Sequence, residues 1–260
     1  QKNRKLNYLK MNKVLVIGDS CLDEYIYCTT GRFCPDAPVP ILKPESFVSA
    51  LGMAGNVVDN LKALGCDGWL VSNANHIKKT RYVDSRTNHM FIRVDEGEDD
   101  VFPIAQKSLE DIKWDEFDAV IISDYCKGFI DENTIKYISE QHPLTFLDTK
   151  KALGDYVDKI RFIKINDVEY KYNEGNISSY WSQKMIITRG SRGAEYKGEV
   201  YPVKEVDVRD TSGAGDTFLA GLVFDYLENK DIVKAIKFAN KCATQVVQKK
   251  GTAKIDIDEI

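Results

Sequence analysis

Short apolar runs alternate along this chain with longer stretches whose apolar positions recur every three to four residues. The runs are 13–18, 68–72, 118–124, 144–149, 161–166 and 185–188. Each is too short for a helix and too uniformly apolar for a strand with one wet face. Each therefore predicts a strand buried on both sides. Between them, the stretch after Leu51, and 132–141, about 217–227 and 232–247, carry helical stripes. The clearest is Phe218, Leu219, Leu222, Val223, Tyr226 and Leu227. Gly65 follows Leu64 as a helix stop. Strands alternating with helices predict a doubly wound, mostly parallel α/β sheet flanked by helices.

Two stretches break the alternation. Residues 25–48 alternate poorly and hold Pro35, Pro38, Pro40 and Pro44, which predicts exposed or edge strands near 25–28 and 39–42. Residues 79–81 and 91–95 flank a turn around 85–88 and predict a hairpin with outward basic residues. A further strand is expected over 199–208, ahead of the helix at 217.

Composition narrows the function. Of 260 residues 43% are hydrophobic, enough for one large domain or two small ones. A net charge of -4 argues against a nucleic-acid or anionic-membrane surface, and no apolar run reaches the ~20 residues of a membrane span. Residues 1–12 read as an N-terminal extension, polar and basic, with Met11 as the natural start; without an apolar stretch they do not read as a signal peptide. Six cysteines form no Cys-x-x-Cys pair, and the three histidines (76, 89 and 142) are too few for a zinc cluster. Free thiols and no leader predict a cytoplasmic protein.

The candidate chemistry lies where strands end and helices begin. Residues 210–217 read Asp-Thr-Ser-Gly-Ala-Gly-Asp-Thr. Glycines at a helix mouth leave backbone N–H groups open to an anion, while Asp216 would repel one and is better used as a base. The plainer reading is a tight turn with an acid in the first helical turn; Ser212 or Asp210 can cap it. Asp19 and Asp23 follow the first strand, where carboxylates suit sugar hydroxyls or simply cap a turn. Asn166 and Glu169 share one face after another strand, a spacing that suits a water-bridged Mg²⁺ but is weak alone. No Gly-x-x-x-x-Gly-Lys-Ser/Thr loop and no protein-kinase signature occurs.

Residues 210–218 match every fixed position of Asp-Thr-x-Gly-Ala-Gly-Asp-x-Phe, so the chain resembles the ribokinase-like (PfkB) carbohydrate kinases. That resemblance implies ATP-dependent phosphorylation of a sugar or sugar phosphate, with Mg²⁺, by one kinase domain over 13–260. It implies Asp216 as catalytic base and the amides of Gly213, Ala214 and Gly215 as an anion hole. It implies Asp19, Asp23, Gly52 and Asn56 as sugar-binding residues. Gly52 and Asn56 match Gly-Gly-x-x-Asn, with Met53 in place of the second, hinge glycine. Asn166 and Glu169 would place Mg²⁺ through water and the nucleotide phosphates. Thr188, Gly190 and Gly193 would meet ATP, and Asn240 the adenine.

Within that family, residues 31–40, the Lys-Thr-Arg at 79–81 and the Ser-Asp-Tyr-x-Lys-Gly at 123–128 resemble bacterial heptose-phosphate kinases. The implied substrate is D-glycero-D-manno-heptose 7-phosphate, converted to the 1,7-bisphosphate. Arg81, Arg93 or Lys127 would meet a phosphate, and Lys150 resembles the lysine of the family's Asp-Pro-Lys. A small β-sheet lid (about 24–48 and 79–95) and a homodimer through it are also implied. The chain departs from these relatives near 73–79, where several tens of family residues are absent and a reduced sheet is expected. A kinase for another sugar, or a catalytically weak sugar- or nucleotide-binding protein, are the alternatives.

Overall fold

The computed structural model describes residues 11–260 except His76; most of the predicted N-terminal extension and that histidine lie outside the described residues. The chain runs β1 (Lys13–Gly18), β2 (Ser20–Phe33), β3 (Pro40–Met53), α1 (Ala54–Ala63), β4 (Asp67–Ser72), β5 (Ile77–Asp84) and β6 (Met90–Glu96). Then come α2 (Gln106–Glu110), β7 (Ala119–Asp124), α3 (Glu132–Gln141), β8 (Thr145–Thr149), β9 (Phe162–Asn166), α4 (Asp167–Asn173) and α5 (Ser179–Ser182). It closes with β10 (Met185–Thr188), β11 (Ala194–Tyr196), β12 (Glu199–Tyr201), α6 (Ala214–Asn229) and α7 (Ile232–Val246).

These strands form two sheets. The larger has the order β12-β11-β10-β9-β8-β7-β1-β4. From β4 to β10 every pairing is parallel, and only β11 and β12 turn antiparallel. Its strands are the apolar runs. Val14 and Val16 point to the layer of α1, α6 and α7, whereas Leu15 and Ile17 point to the layer holding α3 and α5. Side chains on both faces are fully buried, each worth roughly 1.5–3 kcal/mol. Parallel strands then line up their C-terminal ends along one edge, where ligands of such sheets gather.

The smaller sheet has the order β3-β2-β5-β6, and its β2 starts directly after the C-terminal end of β1. β2 and β3 are far longer than the 25–28 and 39–42 expected from the sequence. Prolines hid β3: Pro40 starts it, and Pro44 sits at the irregularity opposite Cys28, positions where a missing N–H is tolerated. The register puts Phe47, Ile26, Tyr82 and Ile92 in one row across all four strands, on the face away from Asp23 and Arg81. Phe47 is 57% and Ile92 54% exposed.

Two further expectations change. The strand over 199–208 ends at Tyr201, since Pro202 cannot continue the ladder. Helix α6 begins at Ala214, and neither Ser212 nor Asp210 caps it. Asp210 instead accepts the N–H groups of Ser212 and Gly251. At the β4 edge the chain passes directly into β5 of the smaller sheet, and among the described residues the larger sheet has eight strands.

Candidate active site

Gly213 is the N-cap of α6 in the left-handed region (φ 77°). A side chain there would be strained, and its Cβ would stand 2.5 Å from Asn56 Nδ2. This glycine turn drives Asp216, in the first turn of α6, into the space between α1 and the core sheet. Asp216 is 3% exposed. Its Oδ1 accepts the Tyr125 hydroxyl at 2.6 Å, and its Oδ2 accepts Asn56 Nδ2 at 3.1 Å. Asn56 is held in turn by Asn60, whose Oδ1 accepts the N–H of Ile255. Burial pushes the Asp216 carboxyl up to about 6, with Asp148 adding to the rise. The donors Tyr125 and Asn56, and the nearby Lys164, pull the other way. A carboxylate at that position is a base matched to neutral pH. Of the expected anion-hole amides, the Ala214 N–H already donates to Thr211 O at 3.2 Å.

A cation completes the helix mouth. Lys164 Nζ lies 3.1 Å from where a Gly215 Cβ would be. It donates to Asp148 Oδ2 at 2.6 Å, and both side chains are buried. The pair follows from register, since Asp148 on β8 is the direct partner of Lys164 on β9. Burial pulls the Lys164 ammonium down, but Asp148 outweighs it and the pKa is raised. An ammonium has three donors, and Asp148 takes one.

Asp19 and Asp23 have separated. Asp19 is fully buried and accepts the N–H groups of Tyr125 (2.8 Å), Lys127 (3.2 Å) and Phe129 (3.3 Å). Burial raises its pKa, and those N–H groups oppose the rise. Its oxygens cap the turn after β7, which favours the capping reading over sugar binding. Asp23, on β2, pairs with Arg81 at 2.6 Å, beside Thr252. Gly52 is what lets it lie there, because a Cβ would meet Asp23 Oδ2 at 2.3 Å. Met53, at the expected second glycine, holds φ 56° with its side chain packed near Cys21 and Ile77. Such a conformation costs a side-chain-bearing residue about 1–3 kcal/mol.

The cations expected to meet phosphate have partners. Lys127 pairs with Glu98, which also draws Lys79 at 3.4 Å. Arg93 pairs with Asp95 at the surface. Lys150 bonds Glu169 at 3.1 Å, with its ammonium 4.7 Å from the centre of the Tyr125 ring. Asn166 and Glu169 form a capping box at the start of α4, a local reason for their spacing. Among the described residues, no group of three His, Cys, Asp or Glu side chains could hold a metal. Thr188 stands beside Asn166 on adjacent strands, and Gly190 and Gly193 shape the turn after β10. Asn240, on α7, gives its Nδ2 to Tyr201 O at 2.8 Å and so holds β12.

Sequence reasoning missed Tyr125, Lys164 and Asp148 as site residues. A lysine in the middle of an apolar strand run was a signal for Lys164, because lysine is buried only when paired. Tyr125 lay inside a recognised motif, but its reach to Asp216 is a tertiary fact.

A family model described as pfkB family carbohydrate kinase matches residues 79–259. The chain is 30% identical to the bifunctional protein HldE of Helicobacter pylori over 304 aligned positions, covering 96% of this chain and 66% of that protein. The alignment is longer than the chain, so the relative carries segments that this chain lacks. The chain spans 66% of the length of such curated relatives. The fold is similar to ribokinase of Thermotoga maritima (TM-score 0.67, 16% identity, 93% of this chain and 95% of that one). It is also similar to the Methanocaldococcus jannaschii nucleoside kinase (TM-score 0.65, 18% identity, 93% of both).

Proposed function

The chain belongs to the pfkB family of carbohydrate kinases, and from that premise we propose how this sugar kinase works and on what. Asp216 takes the proton from an acceptor hydroxyl as that oxygen attacks the γ-phosphorus of ATP. The observation that carries this reading is the placement of Asp216: buried, held by two donors, raised to about 6, and set beside a cation at a glycine-opened helix start. Phosphoryl transfer asks for positioning and charge neutralisation rather than covalent chemistry. Lys164 and the free N–H groups of the first turn of α6 supply charge where the transferring group passes.

Asp23, Gly52 and Asn56 form the sugar side, and Arg81 orients Asp23. Asn166, Glu169, Thr188, Gly190, Gly193 and Asn240 form the nucleotide side. Asn166 and Glu169 suit a Mg²⁺ that keeps most of its waters, the ordinary habit of that ion at phosphates; when bound it supplies neutralisation of phosphate charge.

D-glycero-D-manno-heptose 7-phosphate is our preferred acceptor. The support is the stretch at 31–40, the Ser-Asp-Tyr-x-Lys-Gly at 123–128 and similarity to HldE over 96% of the chain. Lys79, on the lid strand β5, and Lys127 are the cations that a sugar phosphate could draw from Glu98. The row of Phe47, Ile26, Tyr82 and Ile92, exposed at its two ends and half-buried between them, is our reason to propose a lid-to-lid homodimer. The described residues hold no helix long and apolar enough to cross a membrane; we propose the cytoplasm, where ATP is found.

A catalytically weak binding protein is the second reading. Met53, strained where a hinge glycine was expected, favours it. ADP release from Mg·ATP over a panel of sugars and sugar phosphates separates the two. We expect turnover on one acceptor, and a fall of about 10²–10⁴-fold in Asp216→Asn with binding retained. Equal turnover in that variant would remove Asp216 as base.

A further inference from the structure

Tyr125 donates to Asp216 Oδ1 at 2.6 Å. A sugar hydroxyl giving up its proton to that base would sit at about 2.6–3.2 Å. The phenol therefore stands where the acceptor hydroxyl belongs. Its partner oxygen belongs to a carboxylate that is 3% exposed and whose other oxygen is taken by Asn56.

The rest of the loop is built to keep it there. Asp19 pins the backbone at Tyr125 and just after it, through the N–H groups of Tyr125, Lys127 and Phe129. Cys126 (φ 56°) and Gly128 (φ 103°) set the tight turn that aims residue 125 inward. Lys150 lies over the ring. With the backbone fixed, only the side chain needs to rotate for the seat to empty. Burial, and then the charge of Asp216, keep the phenol protonated, so it donates a hydrogen bond and does not attack phosphate.

We propose that Tyr125 is a seat-holder: its hydroxyl occupies the acceptor position on Asp216 while the sugar pocket is empty, and so denies that position to water. The proposal rests on Asp216 being the base. Without the phenol a water can bond Oδ1. That water gives a proton to Asp216 as its oxygen bonds the γ-phosphorus of ATP. The bond from the γ-phosphorus to the ADP oxygen breaks, leaving ADP and inorganic phosphate. A kinase is protected from this side reaction when water is kept off its base.

The test needs no sugar. The full chain is given Mg·ATP alone at pH 8, where Asp216 is ionised, and ADP release is followed. Tyr125→Phe removes only the hydroxyl and should raise sugar-independent ADP release about fivefold or more, since a seated general base is worth at least ~10². Tyr125→Leu, which cannot reach Asp216, should do the same and serves if the Phe variant folds poorly. Structural damage lowers a rate, so a gain is a signature that damage does not produce. Adding Asp216→Asn to either variant should return release to the wild-type level. No gain in a variant that melts within about 2 °C of wild type overturns the proposal, as does a gain that survives Asp216→Asn. Failure of the base assignment shows separately, as sugar phosphorylation that persists in Asp216→Asn alone.

Discussion

The two sheets of this protein handle charge in opposite ways. In the eight-stranded sheet the strands are apolar and the charges sit at or near one edge, buried and each with named partners: Asp19 with three N–H groups, Asp148 with Lys164, Asp216 with Tyr125 and Asn56. In the four-stranded sheet many charges are exposed or half-exposed and pair across or along strands, as Lys78 does with Glu96 and Arg93 with Asp95. The same residue type therefore means different things in the two places. Removing a charge at the core edge changes stability or catalysis; removing most lid charges changes only what the lid touches.

The largest test of that contrast is Asp216. Its folded pKa of about 6 lies above the ordinary 3.8, so the folded state binds that proton more tightly than the unfolded chain. The stabilisation from this group is full below pH 3.8 and is lost as pH rises through 6, a change of about 3 kcal/mol by linkage. Asp216→Asn, which does not ionise, should be more stable than wild type at pH 8 by up to that amount, with the difference gone at pH 4. Urea unfolding at both pH values measures it. Equal stability at pH 8 would break the picture of a functional charge held against its own burial.

The same substitution made at Asp19 and at Asp23 compares the sheets directly. In Asp19→Asn an amide NH₂ must face at least one of three buried N–H donors, which should cost about 2 kcal/mol. In Asp23→Asn the amide oxygen can still accept from Arg81, but the guanidinium, buried with Asp23, loses its counter-charge, which should cost about 3 kcal/mol. That variant should in addition raise KM for the acceptor about tenfold. Thermal melts and steady-state kinetics read the two. A KM unchanged in Asp23→Asn would mean that both carboxylates are structural.

The smallest effect belongs to the outer lid row. Ile92→Ser should change melting by about 0.5 kcal/mol or less in the monomer, because the site is already wet. Light scattering should show a lower average mass than wild type if this row is the dimer contact. An unchanged dimer would move the contact elsewhere.

Much of the core sheet was legible because burial on both faces leaves a plain trace, a short apolar run. Helix α6 was legible for a similar reason: glycines at its mouth are costly unless the backbone needs them. The small sheet was read in part. Its hairpin of β5 and β6 lies where 79–81 and 91–95 were expected, whereas β3 carries Pro40, Pro44 and exposed apolar side chains, so neither alternation nor polarity marks its length. The site was read in part. Asp216 and Asn56, both named from the resemblance, are bonded to each other, a contact the sequence did not foretell, whereas Asp19 accepts three backbone N–H groups, and Lys127 is committed to Glu98 in this conformation.

The chain by itself determined the alternation of buried strands and helices, the glycine turn before Asp216, and the family to which these motifs belong. Each is a local matter of burial period, backbone freedom or residue identity. Tertiary structure decided what the polar residues do. Tyr125 and Asp216 are 91 residues apart, and Lys164 meets Asp148 because two parallel strands align in register. A carboxylate is a cap, an ion-pair partner or a base according to the donors that folding brings to it, and those donors come from distant parts of the chain.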